Sequence, residues 1–465
     1  MNKKILIPIL ALALAGLVGC NGNGGGKEEE EELTGTALAV KKAGEMTLEE
    51  LAAASKAEVE ANPSGQMKVV GLTSVLKSVA KTVAAKYDWL RYGGDNDNIN
   101  VNNGYKDYQL LTALDTAERQ YFADYALAQD ARSFSAYITD GITYNFVPSD
   151  AKTTLGMKDE DLLPLHGVHF NKLFYTNTNF EKVTGKKLYN IWQLAGTAED
   201  PDHLSKISFQ KPDTEQINMS FLVMAYAEQN QARIEKAYKD YYGKAWAASG
   251  DYTSAGQQWV TELIKNITRW HSSDGTAMKE TQLKDDWEAG YVYYGAFAKM
   301  KDAVGKTYDV DLDGNGTVEE KEYKVTCGGV EYTYASEKKV NAMTTVKWDW
   351  EINGFNGFMY CMDSQIINNA KFPYTACLFA RTMLEEDTYT AAIYNEKNPD
   401  ANGQPANQYG YYYPGTASST FRYAKGDWTK EQHIERELNE DYEFLKNVKF
   451  STVNAILAMV SANKN

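Results

Sequence analysis

Apolar positions along the body of the chain alternate between two spacings, one typical of strands and one typical of helices. Residues 67–72 (MKVVGL) form a short apolar run that predicts a strand. Residues 74–87 then carry Val75, Val79 and Val83 at helical spacing, which predicts an amphipathic helix. The same alternation continues with a predicted helix at 105–121, a strand at 125–128, a helix at 131–140 and strand-like stretches at 141–144 and 168–175. It predicts an α/β protein with largely parallel sheets, in which ligands sit beyond the carboxyl ends of the strands.

A different apolar run stands at the start of the chain. Lys3 and Lys4 precede the apolar residues 5–16, and small residues then lead to Cys20. A basic start, a short apolar core and small residues before a cut are the parts of a secretory signal, and this run is too short to span a bilayer stably. The residues before Cys20 resemble the lipobox of bacterial lipoproteins, which implies a signal peptide at 1–20 and lipidation of Cys20. The alternative is an ordinary cleaved signal followed by a cysteine. We favour the lipoprotein, which places the protein outside the cytoplasmic membrane, held there by lipid.

The segment after Cys20 offers nothing that could bury a core. Residues 21–26 read NGNGGG, and Lys27 precedes five glutamates at 28–32. Glycine makes a flexible coil and a block of like charge stays solvated, so we expect residues 21–62 to act as a tether and spacer. Residues 34–61 are rich in Ala, Lys and Glu, and the sequence leaves open whether they are spacer or packed helix.

The size and charge of the remaining chain narrow the classes of function. A body of roughly 400 residues exceeds one ordinary core and predicts two lobes. The net charge of −15 argues against binding to nucleic acid or to an anionic membrane face. The 32 Tyr and 9 Trp suit stacking on ligands, although most aromatic side chains belong to cores. Outside the cell, Cys327, Cys361 and Cys377 are expected to form one pair and leave one free thiol.

Several segments resemble, in their order along the chain, the type 2 extracellular solute-binding proteins of ABC importers. They are Gln129-Asp130-Ala131, residues 147–150 (VPSD), 174–177 (FYTN), 188–194 (LYNIWQL), 207–212 (ISFQKP), 273–275 with 290–294, and 369–379 (NAKFPYTACLF). The resemblance covers most of residues 67–445. It implies a two-lobed, periplasmic-binding-protein-like α/β fold with mixed or parallel sheets, in which the lobes close around a solute by hinge motion. It also implies an ABC transporter permease as the partner.

The resemblance further implies a division of the chain into lobes. The first lobe would begin at 63–172, the second lobe would occupy 173–300, and residues 346–465 would return through the hinge. Between them, residues 301–345 form an insert that typical members of the family lack.

The sharpest local motif lies in that insert. Residues 311–322 (DLDGNGTVEEKE) follow the spacing of an EF-hand-type loop, with Gly316 where the sharp turn needs glycine. The predicted Ca²⁺ ligands are Asp311, Asp313, Asn315, Thr317 through its carbonyl, Glu319 and Glu322. A register at 309–320 also fits the spacing, and the alternative to a metal site is an acidic, solvated loop. Residues 323–334 read as a hairpin instead of a second helix, so we predict a structural Ca²⁺ and not a sensor.

Candidate solute contacts follow from position along the chain. They are Gln129, Asp130, Tyr175, Tyr291, Tyr293, Tyr294 and Trp350. Asp130 fits the N-cap of the next helix equally well. Alternation places Tyr291 and Tyr293 on one face, where the core is the more frequent environment for aromatic residues. The tyrosines also match in position the ferric-ion branch of the family, in which tyrosinates bind iron. Trp350 would stack on a sugar ring, and the alternative is a strand with one face in the core and one in solvent.

Binding without catalysis is the function that these features favour. The sequence has no G-x-S-x-G, H-E-x-x-H or phosphate-loop motif, and residues 271–274 (HSSD) fit a helix N-cap and turn better than a triad. We therefore expect a monomeric, lipid-anchored solute-binding protein that is not an enzyme. A carbohydrate is the first choice of solute, with a polyamine, a metal chelate or ferric ion as alternatives. A secreted glycoside hydrolase and a calcium-dependent surface adhesion protein stay open as other classes.

Overall fold

The chain divides into two compact units. The computed structural model describes residues 33–71, 73, 75–105, 107–114, 120–129, 131–283, 290–298, 307–309, 311, 315–327, 330–341, 346–348, 351–408, 410–414 and 421–463. Unit 1 takes its described residues from Met1–Gly167, Asp363–Ala392 and Pro414–Ser418, and unit 2 from Val168–Met362, Ile393–Tyr413 and Ser419–Asn465.

Helices and strands alternate through most of the chain. The helices are α1 (Gly35–Glu45), α2 (Leu48–Ala61), α3 (Val75–Lys86), α4 (Asp107–Leu114), α5 (Ala131–Thr139), α6 (Phe180–Thr184), α7 (Trp192–Ala195), α8 (Gln216–Met224), α9 (Glu228–Tyr242), α10 (Ala255–Asn266), α11 (Asp274–Leu283), α12 (Pro373–Met383), α13 (Glu386–Ile393), α14 (Lys430–Arg436), α15 (Tyr442–Leu445) and α16 (Phe450–Ala462). The strands are β1 (Met67–Gly71), β2 (Ile99–Asn102), β3 (Tyr125–Gln129), β4 (Thr143–Tyr144), β5 (Leu165–Asn177), β6 (Ile207–Gln210), β7 (Ile267–His271), β8 (Val292–Ala296), β9 (Thr307–Tyr308), β10 (Tyr323–Cys327), β11 (Val330–Tyr334), β12 (Val340–Asn341), β13 (Val346–Lys347), β14 (Gly357–Ile367), β15 (Tyr394–Pro399), β16 (Pro405–Asn407) and β17 (Leu438–Asn439).

The sheet of unit 1 is built on parallel pairing. β1 lies between β2 and β3 and is parallel to both, with Met67 opposite Ile99 and Val69 opposite Tyr125. The part of β14 from Asp363 onward comes next in strand order, and its last residues pair antiparallel with β4. All five residues of β3 are buried, as expected for a strand covered on both faces. We call the side on which β1, β2 and β3 end the carboxyl edge of unit 1, and the opposite side its amino edge.

The sheet of unit 2 is mixed. β6 is parallel to β7 and to β8, whereas β8 is antiparallel to β5. The part of β14 before Asp363 follows β5, and β17 pairs in parallel with its first residues. Because β5 runs against β8, Lys172 on β5 lies opposite Ala296 at the end of β8. We call this side, where β6, β7 and β8 end, the carboxyl edge of unit 2. The predicted α/β fold with parallel and mixed sheets is confirmed.

The segment assigned to a spacer is, from Gly35 onward, part of unit 1. α1 and α2 both pack against α12, and Leu51 of α2 is buried. The Thr47 hydroxyl accepts the N–H of Glu50, and the Glu50 carboxylate accepts the N–H of Thr47, so a capping box starts α2. The question that the sequence left open for residues 34–61 is therefore resolved in favour of packed helix. Residues 1–32, with the predicted signal peptide, Cys20 and the glycine and glutamate run, lie outside the described residues.

The expectation of a disulfide among the three body cysteines is wrong. Cys361 and Cys377 are both buried free thiols, so neither takes part in the expected pair. Cys377 is buried inside α12, and the Cys361 thiol lies 3.3 Å from Oε2 of Glu440. Within the described residues, no helix is both long and apolar enough to cross a membrane.

Glu58 joins the N-terminal helices to the rest of unit 1. Its carboxylate accepts the N–H of Tyr374 at 3.2 Å, the N–H of Thr375 at 2.8 Å and the hydroxyl of Thr375 at 2.7 Å. These N–H groups are free donors at the start of α12, where a carboxylate also opposes the helix dipole favourably.

We expect Glu58→Ala to lower the free energy of unfolding by about 2 kcal/mol, because it leaves these helix-end donors without an acceptor. Urea denaturation followed by circular dichroism measures the change. Glu60→Ala, on the exposed side of the same helix, is the matched control and should change stability by less than about 0.5 kcal/mol. Equal stability of the two variants would contradict the role given to Glu58.

Candidate functional site

The carboxyl edge of unit 1 presents Gln129, the last residue of β3. Its side chain is buried, and α5 begins two residues later at Ala131. After the end of β1, the hydroxyl of Thr73 accepts the N–H of Val75, the first residue of α3. Asp130 lies outside the described residues, so its two alternatives, solute contact and N-cap, both stay predictions.

The carboxyl edge of unit 2 contains a buried lysine that the sequence reading missed. Lys172 is 2% exposed, and its Nζ donates to Oε1 of Gln210 and to Oδ1 of Asn218, each at 3.1 Å. Its Nζ also lies 3.5 Å from Oδ2 of Asp274 at the start of α11. A buried ammonium is tolerated only when such partners replace water. The signal in the sequence was a single charged residue within the otherwise apolar and polar-neutral run of β5.

The Asp274 carboxylate is only partly used by this arrangement. One oxygen faces Lys172, whereas Oδ1 has no hydrogen-bond partner among the described residues, and 17% of the side chain remains exposed. Gly295 on β8 makes room for it, since a Cβ at that position would lie 3.0 Å from Oδ1. Asp274 therefore keeps acceptor capacity at the carboxyl edge.

Three of the predicted tyrosines share one face of the unit 2 sheet. The Tyr293 ring lies 5.5 Å from that of Tyr175 and 6.0 Å from that of Tyr291, as the predicted alternation requires. His271 stacks on Tyr293 at 5.6 Å between ring centres. Tyr175 and Tyr293 are buried, and Tyr291 is half-buried with the Arg269 guanidinium 4.5 Å from its ring centre. Their role as solute contacts stays a prediction.

Tyr294 occupies the opposite face, inside the aromatic core of unit 2. Its ring stacks between Phe209 at 4.7 Å and Phe221 at 4.5 Å, and the side chain has no exposed area. Burial raises the pKa of Tyr294 well above its usual value, because the phenolate would lose its hydration. Forming a tyrosinate here for a metal ion is therefore costly.

The His271–Asp274 segment is a helix start, as the sequence indicated. The Ser273 hydroxyl accepts the N–H of Thr276 at 3.2 Å in the first turn of α11. His271 instead points to the hydroxyl of Ser208 on the neighbouring strand. Burial, and then the nearby Arg269 charge, lower the pKa of His271 to about 3, so the imidazole is neutral at physiological pH.

Trp350, which was predicted to stack on a sugar ring, lies outside the described residues. Trp348, two positions earlier, is described and is buried in unit 2. The Trp348 ring lies 4.5 Å from Phe297 and 5.2 Å from Trp428. Trp348 therefore belongs to the core of unit 2, and stacking of Trp350 on a sugar stays a prediction.

The predicted calcium loop has a turn organised by its first residue. The Asp311 carboxylate accepts the N–H of Asn315 at 3.0 Å and the N–H of Gly316 at 2.7 Å. Gly316 has a φ of +89°, a conformation that favours glycine and agrees with its predicted place in the turn. The Asn315 side-chain oxygen accepts the N–H of Thr317 at 2.8 Å.

The rest of the predicted ligand set is spread around this turn. Asp313 lies outside the described residues, and Glu319 and Glu322 are exposed. Glu319 is tied to the buried Glu337, whose carboxylate accepts its N–H at 2.9 Å. The predicted hairpin that follows is confirmed, since β10 and β11 pair antiparallel.

Comparisons with solved structures agree on one fold. HitA from Pseudomonas aeruginosa, solved with iron bound, matches with a TM-score of 0.50 at 11% identity over 86% of this chain and 100% of its own. The periplasmic binding protein P5PA matches with a TM-score of 0.51 at 12% identity over 85% of this chain and 99% of its own. An ABC transporter substrate-binding protein from Bradyrhizobium japonicum USDA 110 matches with a TM-score of 0.51 at 10% identity over 86% of this chain and 100% of its own.

The chain has the type 2 periplasmic-binding-protein fold. At this level of identity the likeness concerns the fold alone. No protein-family model matches the chain, and no curated protein matches it.

A second cluster of buried ionisable side chains lies in unit 2, and the sequence analysis did not predict it either. His433 and Glu437, one helical turn apart, contact each other through Nδ1 and Oε1. His433 Nε2 lies 2.8 Å from the Tyr412 hydroxyl, which donates to Oδ2 of Asp427 at 3.0 Å, and Asn171 Nδ2 lies 2.7 Å from His433 Nδ1. The i, i+4 spacing of His433 and Glu437 was the available signal.

Two carboxylates hold the proton on His433. Burial alone would lower its pKa, but Glu437 and Asp427 oppose this and raise the pKa of His433 to about 9. The folded state thus binds this proton more tightly than the unfolded chain, in which an ordinary histidine has a pKa near 6.5. The resulting stability is fully present below about pH 6.5 and is lost as pH rises through about 9.

We expect the free energy of unfolding to fall between pH 6.5 and pH 9 by about 3 kcal/mol through this group, since the folded state holds the His433 proton more tightly than the unfolded chain does. Urea denaturation at stepped pH measures the slope. The paired variant His433→Gln/Glu437→Gln keeps side chains of similar shape and should flatten it. An unchanged slope in the variant would rule out His433 as its source.

Proposed function

We propose that this protein is a lipid-anchored, extracellular solute-binding protein that captures a small solute and delivers it to the permease of an ABC importer. The observation that carries the proposal is the type 2 fold, shared with HitA, P5PA and the Bradyrhizobium protein over at least 85% of this chain. HitA is described with iron bound, and the Bradyrhizobium protein is named a substrate-binding protein of an ABC transporter. Cys20 would carry the lipid, and residues 21–32 would form the tether.

The charges at the carboxyl edge of unit 2 favour a neutral, hydroxyl-rich solute. Lys172 and Asp274 lie 3.5 Å apart and offset each other's charge. The side-chain amides of Gln210 and Asn218 lie next to this pair, since both accept hydrogen bonds from Lys172. Amides and one partly free carboxylate oxygen accept hydrogen bonds from sugar hydroxyls without demanding a charged ligand. This supports a carbohydrate as the first choice.

The other solutes fit the described residues less well. Ferric ion needs ionised oxygen ligands, and the pKa of Tyr294 lies well above its usual value. A polyamine needs several unmatched carboxylates, whereas Asp274 already faces Lys172. Both alternatives are outcomes of the test below.

A thermal-shift screen followed by titration calorimetry tests the proposal. The mature protein is screened against neutral sugars, polyamines and ferric citrate, and we expect a sugar to raise the melting temperature. Asp274→Asn should weaken binding of that sugar about tenfold, because it disturbs both the acceptor and the pairing with Lys172.

Asp251→Asn is the matched control, since Asp251 is an exposed acid of unit 2 in the loop between α9 and α10, and it should bind as the wild type does. The melting temperature of each unliganded variant checks folding. Absence of any stabilising solute would contradict the receptor, and turnover of a glycoside would favour the hydrolase instead.

We further propose that residues 311–322 bind a structural Ca²⁺. What supports this is the turn in which Asp311 accepts the N–H groups of Asn315 and Gly316, together with the ligand spacing of the loop. The cation would hold the insert that contains β9 to β12, and it would take no part in solute capture.

Removal of calcium with EGTA should lower the melting temperature of the wild type, and added Ca²⁺ should restore it. The variant Asp311→Asn/Glu322→Gln should be insensitive to both treatments. Glu228→Gln, an exposed acid on α9, should respond as the wild type does. A wild-type protein that binds no Ca²⁺ in calorimetry would contradict the proposal.

A further inference from the structure

A cavity of about 880 Å³ opens at the amino edge of unit 1, on the side of the sheet opposite Gln129. It is lined by the loop that joins α2 to β1, by the start of β1, by the loop before β2 and by the segment between β14 and α12. The side chains that matter here are those of Lys68, Arg91, Tyr121 and Lys371. None of them belongs to the carboxyl-edge site described above.

One buried carboxylate organises this cavity. Asp124 has no exposed area and accepts four hydrogen bonds. The N–H of Lys68 and the hydroxyl of Tyr121 donate to its Oδ2 at 2.7 and 2.8 Å. The N–H groups of Lys371 and Phe372 donate to its Oδ1 at 2.6 and 3.0 Å. Asp124 therefore fixes the backbone of both lysines and the ring of Tyr121 around a single point.

The two lysine side chains converge on that ring. The ammonium of Lys371 lies 4.3 Å from the ring centre of Tyr121, and that of Lys68 lies 5.0 Å from it. Within the part of the chain that the structure describes, no carboxylate comes within 4.0 Å of either ammonium or of the Arg91 guanidinium. These three cations line one cavity, and among the described residues none of them forms an ion pair, in a protein whose net charge is −15.

Two acidic residues, Asp95 and Asp97, also line the cavity. Both carboxylate oxygens of Asp97 accept backbone N–H groups, from Gly93 at 2.8 Å and from Gly94 at 2.9 Å. Arg91 uses its Nε to hold the carbonyl of Asn96 at 2.7 Å, which leaves the outer nitrogens of its guanidinium for another partner. Cations held close together repel each other, and an anion between them relieves that repulsion.

We propose that this cavity is a second binding site, specific for phosphate groups. Two ammonium groups that meet at one tyrosine ring and one guanidinium are donors that proteins use for phosphate oxygens, and the volume accommodates more than one linked phosphate. The phosphate belongs either to a soluble phosphate ester or to the headgroup of an anionic phospholipid. The site is separate from solute capture and does not depend on the function proposed above.

Titration calorimetry with inorganic pyrophosphate on the mature protein tests this site. We expect binding that weakens as sodium chloride is raised from about 50 to about 300 mM, since the attraction is screened. The variant Lys68→Gln/Lys371→Gln keeps both backbone N–H groups on Asp124 and should weaken binding at least tenfold. Lys41→Gln/Lys42→Gln, two exposed lysines of α1, makes the same change of net charge and should leave affinity within twofold.

Flotation with vesicles separates the two sources of phosphate. Vesicles of phosphatidylcholine with phosphatidylglycerol are compared with pure phosphatidylcholine, using protein without its lipid anchor. Binding to the anionic vesicles identifies a headgroup, and binding to pyrophosphate without vesicle binding identifies a soluble ester. Either result supports the proposal, provided that the double lysine variant no longer binds the same probe.

The proposal is overturned if the wild type binds neither probe, or if the α1 variant loses affinity as much as the cavity variant. Should the double lysine variant fail to fold, as judged by circular dichroism, Arg91→Gln replaces it. Arg91 is exposed, so its replacement should not prevent folding. For the proposal to hold, this variant must also weaken pyrophosphate binding at least tenfold. Unchanged solute binding in all of these variants keeps this test independent of the carboxyl-edge site.

Discussion

A charged group that leaves water needs partners of opposite charge or a full set of hydrogen bonds, and that requirement fixes where several segments of this protein meet. Asp124 shows it most clearly in unit 1. The carboxylate of Asp124, which has no exposed area, accepts hydrogen bonds from the start of β1, from Tyr121 and from the segment that leads into α12. Glu58 does the same for the N-terminal helices, which it ties to the first turn of α12. Without such carboxylates, the N–H groups at these strand and helix starts would be buried without acceptors.

In unit 2, the buried charged groups that need partners are cations. Lys172 is buried at the edge where solute contacts are expected, and amides of Gln210 and Asn218 together with Asp274 replace its water. Further inside, His433 stands between Glu437 and Asp427 and keeps its proton for that reason. The edge that results is polar but locally balanced in charge. That balance is what directs the functional proposal toward a neutral solute and away from a metal ion.

Much of the secondary structure followed from the spacing of apolar residues. The predicted strand at 67–72 and helix at 74–87 correspond to β1 and α3, and residues 125–128 fall within β3. These elements have regular apolar patterns and sharp ends, so local sequence is sufficient to define them. The predicted helix at 105–121 was too long, since Tyr121 lies outside any helix and its hydroxyl donates to Asp124, three residues further on. The spacing of apolar residues does not mark where that helix ends.

By itself, the sequence determined the α/β class with its largely parallel sheets, the shared face of Tyr291 and Tyr293, the helix start at Ser273 and the turn that Gly316 makes. Each depends on neighbours within a few residues, which a linear pattern records. Only the tertiary structure decided that residues 35–61 pack as helices, that Cys361 and Cys377 stay free, and that Lys172 meets Gln210 and Asp274. It also brought Lys68 and Lys371 to Asp124. These partners are far apart along the chain, and their contacts exist only because the packing of strands and helices places them together while burial demands that their charges be satisfied.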